Sequence, residues 1–170
     1  MTEYRDATPT DGPALDAMAR AIWVATFAHA SSPEDSAAYL STAYGLDGAL
    51  IRSLADPAVS IRVGIEGGHI VGYAKLTPPW VPAAERETAL QLSQLYVAAE
   101  HHGRGVAQAL LAWTLDTARG RGATALFLTV WEENARAIRF YDRYGFKHVG
   151  DYAFAVGEQV DRDLVMRLAL

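Results

Sequence analysis

The stretch from Thr88 onward leaves the chain little freedom in how it can fold. An apolar strand run, Ala89 to Val97, passes through a glycine loop into an amphipathic helix, Val106 to Ala118; a second strand run, Ala125 to Val130, leads into a second helix, Asn134 to Tyr144. Two strands joined through a helix make a right-handed crossover, so the two runs are expected to lie parallel and adjacent in one sheet. Two further runs, Lys147 to Val156 and Asp163 to Leu168, close the chain as a hairpin.

Upstream, Glu3 to Ala7 alternates briefly between polar and apolar residues, and Asp11-Gly12-Pro13 signals a helix start. Leu15, Met18, Ala19, Ile22, Trp23 and Phe27 then recur at three- and four-residue steps, the apolar face of an amphipathic helix. Ser32-Pro33, with Glu34 and Asp35 in the first turn, opens another helix running towards Tyr44, which Gly45 ends. A short helical piece is expected around Asp47 to Leu54. The runs Val59 to Ile65 and Ile70 to Leu76, turned by Gly67-Gly68, predict an antiparallel hairpin, and Trp80 to Glu87 a loop. No repeat, low-complexity tract or linker interrupts this order, so residues 1–170 are expected to form a single mixed α/β domain.

Composition narrows the chemistry. At 170 residues with 51% apolar and 21% charged residues, the chain can bury one sizeable core. It contains no cysteine, which removes disulfides, thiolate nucleophiles and cysteine-based zinc sites. Its five histidines are not at paired ligand spacing, so no metal is expected. Net charge is −5 (15 basic against 20 acidic residues), with no basic stripe, which argues against nucleic acid and suits a cationic small molecule. The start MTEYRDATPT lacks the basic and apolar regions of a signal peptide, and no run approaches the roughly 20 apolar residues of a membrane span; a cytoplasmic protein is expected.

The run Leu95-Tyr96-Val97-Ala98-Ala99-Glu100-His101-His102-Gly103-Arg104-Gly105-Val106-Ala107 passes from strand to helix through glycines. Glycines let backbone amides approach an anion, and the first helical turn offers unpaired N–H groups at the positive end of the dipole. Arg104 and the two histidines could add charge. A phosphate loop of the Lys-Ser/Thr type is excluded because Val106-Ala107 follows Gly105, and a dinucleotide fold fits poorly because the next strand ends Leu128-Thr129-Val130 without an acidic residue. Downstream, Asn134 is a good N-cap residue, Ala137, Ile138 and Tyr141 fall on overlapping helical faces, and Gly145 reads as the helix C-cap before Phe146. Phe140, Tyr141 and Tyr144 could also be plain core aromatics.

Together these two segments resemble the GNAT superfamily of N-acetyltransferases. Its acetyl-CoA loop has Arg or Gln, two residues, Gly, one residue, then Gly or Ala; here the pattern falls on His102, Gly105 and Ala107, with His where Arg or Gln is usual. Its second signature falls on Asn134, Ala137, Phe140-Tyr141 and Gly145-Phe146. The resemblance implies an acyl-CoA N-acyltransferase fold, a central mixed six- to seven-stranded sheet with splayed central strands flanked by helices. It implies acetyl-CoA held by Leu95, Tyr96 and Val97, by His102, Gly103, Arg104, Gly105, Val106 and Ala107, and by Asn134, Ala137 and Tyr141. It also implies direct attack of an amine on the acetyl thioester, with a backbone amide at Val97 polarising the carbonyl and the Tyr141 hydroxyl protonating the leaving thiolate.

Many members place a Glu on the strand before the glycine loop, where this chain has Gln91, Ser93 and Gln94; Glu87, Glu132, Glu133 or a water chain are left as candidate bases, and His101 or His102 less so. The resemblance implies a small amine as the acceptor. Trp23, Thr26-Phe27, Leu95-Tyr96-Val97, Val130 to Asn134, Phe154, Gly157, Asp163 and Met166 resemble bacterial spermidine/spermine N-acetyltransferases, which implies a polyamine; an amino acid, an aminoglycoside or a protein amine, or a non-catalytic acyl-CoA sensor, are the alternatives. Trp23, Phe27, Tyr39 and Tyr44 wall the substrate or fill the core. Many members dimerise, and apolar positions of the final hairpin face either a partner or the core.

Overall fold

The computed structural model of the chain describes residues 1–83 and 85–170. One sheet runs through it, built from β1 (Glu3–Asp6), β2 (Ser60–Glu66), β3 (His69–Thr77), β4 (Ala89–Val97), β5 (Ala125–Trp131), β6 (Lys147–Val156) and β7 (Gln159–Ala169). The spatial order is β1-β2-β3-β4-β5-β7-β6. Every neighbouring pair is antiparallel except β4 and β5, which the crossover makes parallel. The helices are α1 (Gly12–Phe27), α2 (Pro33–Ala43), α3 (Ala49–Ser53), α4 (Val106–Gly120) and α5 (Ala135–Arg143).

Each face of the sheet has its own core. On one, Val106, Leu110, Leu111 and Ala118 of α4, at helical spacing, pack with Tyr141 and Phe146 on Ala74, Leu76, Leu90, Leu126 and Leu128. On the other, Leu15, Ala19 and Trp23 of α1, with Leu40, Tyr44 and Leu50, pack on Ile61, Val63 and Tyr73. Each large side chain so buried contributes about 1.5–3 kcal/mol. The helix ends follow the sequence signals: the Ser32 hydroxyl accepts the Asp35 amide at 3.0 Å, and Asn134 Oδ1 accepts the Ala137 amide at 3.2 Å. Gly145, at φ +89°, ends α5 in a Schellman motif, its amide bonding Asp142 O and the Phe146 amide bonding Tyr141 O.

Two arrangements differ from expectation. The last strand starts at Gln159 rather than Asp163, because Gly157-Glu158 makes a tight turn and pairing continues through the polar Asp161-Arg162 pair. That strand then inserts between β5 and β6, leaving β6 as the sheet edge. The piece expected around Asp47 to Leu54 is helical only over Ala49–Ser53. The expected loop over Trp80 to Glu87 includes Ala84, which lies outside the described residues.

Candidate active site

The site begins with a register fault. Lys75 lies opposite Gln94 and Leu76 opposite Leu92, so Ser93 is an extra residue on β4, a β-bulge. Its hydroxyl bonds the Thr77 hydroxyl at 2.6 Å and accepts the Trp80 indole N–H at 3.2 Å. One inserted residue shifts the alternation of faces: Leu90 and Leu92 face α4, and beyond the bulge Leu95 and Val97 do so, while Tyr96 faces the opposite core. Parallel pairing between β4 and β5 spans Ala89 to Gln91 against Ala125 to Phe127 and then stops. Beyond it the strands part.

The gap exposes backbone. The Ala98 amide bonds Val71 O at 2.9 Å, which fixes the phase of the β3–β4 ladder. Tyr96 and Gln94 then exchange bonds with β3, and the amides of Leu95 and Val97 point the other way, into the gap. Gly103 and Gly105 take φ +75° and +85°, a region that penalises other L-residues, and the first bond of α4 runs from the Ala109 amide to Gly105 O. The amides of Gly103, Gly105, Val106, Ala107 and Gln108 thus have no backbone partner among the described residues, an anion cradle at a helix N-terminus.

Two cavities open on either side of the gap. One, of about 210 Å³, is lined by Val97, His102, Gly103, Ala107, Arg136 and Arg143 among others. The other, of about 290 Å³, has aromatic walls from Trp23, Phe27, Tyr39, Trp131 and Phe154. Leu95, Ala137 and Tyr141 line both.

The expected residues divide between these spaces. Leu95, Val97, His102, Gly103, Ala107, Ala137 and Tyr141 gather at the smaller cavity; Gly105 and Val106 build the cradle, Val106 with its side chain in the core. Tyr96 and Asn134 line the aromatic cavity instead. Arg104 is solvent-exposed; the Glu66 carboxyl is held below its ordinary pKa chiefly by the Thr2 hydroxyl, and Arg104 is close enough to add to that. Of the candidate bases, Glu132 is held by Arg162 at 2.7 Å, and neither it nor Glu87 or Glu133 lines a cavity. Gln91 is buried, its Oε1 accepting the Trp80 and Val81 amides at 3.0 and 3.3 Å. Trp23, Phe27 and Tyr39 serve as both core and wall, whereas Tyr44 lies in the core.

The sequence reading missed Arg136 and Arg143, which bring positive charge to the smaller cavity, and Asp161, which lines the larger beside Asp163, a residue the polyamine resemblance had named without a role. The arginines fall at i and i+7 with Phe140 at i+4, one face of α5 beside the one that carries Ala137 and Tyr141, and that spacing was the signal. Burial pushes the Tyr141 hydroxyl far above its ordinary pKa, which keeps it a proton donor. Burial raises the Asp163 carboxyl to about 6, Asp161 adds to the rise, and the Thr129 hydroxyl opposes it.

A seven-stranded mixed sheet opened between β4 and β5, with an amide cradle at the mouth of the opening, is the GNAT N-acetyltransferase fold. The model of the acetyltransferase (GNAT) family matches residues 17–146, and the chain belongs to that family. It is 39% identical over 113 residues to an uncharacterized N-acetyltransferase of Mycobacterium tuberculosis, covering 66% of this chain and 69% of that one. It is 27% identical over 164 residues, 94% and 92% of the two chains, to another from Lactobacillus delbrueckii subsp. lactis. Among solved structures, the PaiA N-acetyltransferase of Thermoplasma acidophilum in complex with coenzyme A superposes with a TM-score of 0.76 at 20% identity over 100% of this chain and 99% of that one. The ribosomal-protein-alanine N-acetyltransferase of Brucella melitensis does so with 0.71 at 24% identity over 99% of each.

Proposed function

We propose that the protein transfers the acetyl group of acetyl-CoA to a primary amine of a small cationic molecule, with a polyamine as the first candidate. The observation that carries this is the meeting of the two cavities at Leu95, Ala137 and Tyr141: one side offers an amide cradle and two arginines for a pyrophosphate, the other an acidic, aromatic-walled space for an amine. Acetyl-CoA enters from the cradle side, its pantetheine arm following the free amides of Leu95 and Val97. The thioester then sits at the gap, where the Val97 amide can polarise its carbonyl and the Tyr141 hydroxyl can protonate the departing sulfur. The amine attacks directly, and no enzyme nucleophile is needed.

Polyamine binding is supported by Asp161 and Asp163 and by aromatic faces that suit an alkylammonium chain. A second reading, an acceptor with a carboxylate near its amine, is favoured by Lys75, a cation in the same cavity whose pKa burial lowers. Thiol release from acetyl-CoA across spermidine, spermine, lysine, an aminoglycoside and a lysine-bearing peptide tests both. Selective turnover of the polyamines is the expected result; selective turnover of lysine moves the acceptor to the second reading, turnover of the aminoglycoside or the peptide rules out both, and silence throughout, with CoA still bound, leaves an acyl-CoA sensor.

A further inference from the structure

The strand before the glycine loop carries no carboxylate, yet the aromatic cavity holds one on the far side of the gap. Asp163 is more than nine-tenths buried. It sits on β7 between Trp131 of β5 and Tyr152 of β6, and it lines the same cavity as Tyr141. Burial raises the pKa of Tyr39 and of Tyr96, and Asp163 is near enough to add to both; Tyr96 also feels Tyr141. Asp163, Tyr96 and Tyr141 thus line one cavity, which Lys75, Gln94 and Asp161 line as well. Arg162, its chain neighbour, points away and pairs with Glu132 and Asp151.

We propose that Asp163 receives the ammonium of the acceptor and takes a proton from it, so that the neutral amine can attack. The proposal rests on the acetyl-transfer reading of the two cavities. The ammonium nitrogen gives one proton to the Asp163 carboxylate; its freed electron pair forms the N–C bond, and the C–S bond breaks. The sulfur takes the Tyr141 proton, the second proton lost by the nitrogen returns to Tyr141, and the proton on Asp163 leaves to solvent with the product. A carboxylate raised to about 6 is ionised at neutral pH and is a stronger base than an exposed aspartate. The titratable and charged groups around it are Asp161 on its own strand, Tyr39 of α2, Tyr96 of β4, Lys75 of β3, Tyr141 of α5 and Tyr152 of β6.

The test uses the full chain, with Asp163→Asn, which keeps the shape of the side chain. Two readouts are followed from pH 5 to 9: steady-state thiol release with the best amine of the panel, and equilibrium binding of 1,4-diaminobutane, read by quenching of the cavity tryptophans. In the wild type both should fall on the acid side with an apparent pKa near 6. In the variant kcat/KM should drop about 100-fold, as loss of a general base does, diamine binding should weaken and lose its acid limb, and acetyl-CoA affinity should stay within about twofold. A variant that turns over and binds diamine like wild type, acid limb included, overturns the proposal and leaves the transfer reading standing. A wild type that binds diamine through Asp163 but acetylates no amine overturns the transfer reading and the proton step with it. A wild type with no acid limb in either readout overturns the proposal even if the variant does not fold.

Discussion

The Nε2 atom of His102 lies 2.9 Å from the carbonyl oxygen of Val97. A carbonyl only accepts, so Nε2 carries the hydrogen, and Nδ1 is left to accept from Arg136 Nη1. One imidazole thus latches the cradle loop to the strand whose amide faces the gap and aims an arginine of α5 at the mouth of the smaller cavity. His102→Ala should weaken acetyl-CoA binding about fivefold, the worth of one hydrogen bond near 1 kcal/mol. His102→Gln should recover most of it, since an amide N–H reaches the same carbonyl. Calorimetric titration of CoA distinguishes the two.

Arg136 and Arg143 stand one above the other, two turns apart on α5, and both line the smaller cavity. On the proposed reading, charge at this position would attract the phosphates of CoA. Replacing either by Ala should raise the CoA dissociation constant about fivefold at low ionic strength, the effect of a partly exposed ion pair. The loss should shrink in about 0.5 M salt, where screening is short-ranged. An unchanged loss at high salt would point to packing in place of charge.

Tyr141 packs edge-on against Phe140 and Phe146, with ring centroids 5.4 and 5.6 Å away. Tyr141→Phe keeps these contacts and should leave the melting temperature and CoA affinity nearly unchanged. If the hydroxyl protonates the leaving thiolate, kcat should fall by about 10²–10³. Because burial raises its pKa, wild-type activity should show no loss from phenol ionisation up to about pH 10, the ordinary value. A kcat within threefold of wild type in the variant removes Tyr141 from the chemistry.

Much of this arrangement was legible in local pattern. The periodicity of α1 and α4, the cap at Asn134, the turn at Gly145 and the parallel crossover each depend on residues close in sequence. What was not legible depends on pairing across distance. The position of β7 between β5 and β6 places Asp163 in the cavity, and no signal within Asp163 to Leu168 tells which strand it will join. Likewise Ser93 looks like any strand serine; only the register against β3 reveals it as the bulge that puts Leu95 and Val97, in place of Tyr96, on the face of Leu90 and Leu92. Tyr96, expected with the cofactor, accordingly lines the aromatic cavity.

Acid stability should report on the start of α1. Asp11 accepts from Arg5 at 2.7 Å and from the Thr8 amide at 2.7 Å, and these partners hold its carboxyl well below the usual carboxylate range. A group depressed on folding stabilises the protein fully above its unfolded pKa, about 3.9, and that contribution is lost as pH falls through the lower folded value. Asp11→Asn should therefore lower the melting temperature at neutral pH and flatten its decline below about pH 4. Melts at pH 7 and pH 3 measure both changes.

Gly157 sits in the turn of the last hairpin, next to the strand that supplies Phe154 and Val156 to the aromatic cavity. It takes φ +62°, and a Cβ there would lie 2.6 Å from Asp35 Cα and 2.8 Å from Asp35 Cβ, distances that backbone cannot yield cheaply. The close approach lets the Glu158 amide bond Asp35 Oδ1 at 2.7 Å, which ties the hairpin to α2. That tie sets Phe154 against Tyr39, 5.8 Å apart, in the wall of the aromatic cavity. Gly157→Ala carries the left-handed penalty of about 1–2 kcal/mol and the clash besides, so the hairpin must shift from α2. Gly122→Ala is the control: its φ is +77° and nothing lies within 4 Å of its added Cβ, so it carries strain alone. Gly157→Ala should destabilise by more than Gly122→Ala and should raise KM for the amine while CoA affinity holds. Equal losses in the two variants, with amine KM unchanged, would mean that the hairpin does not shape the acceptor wall.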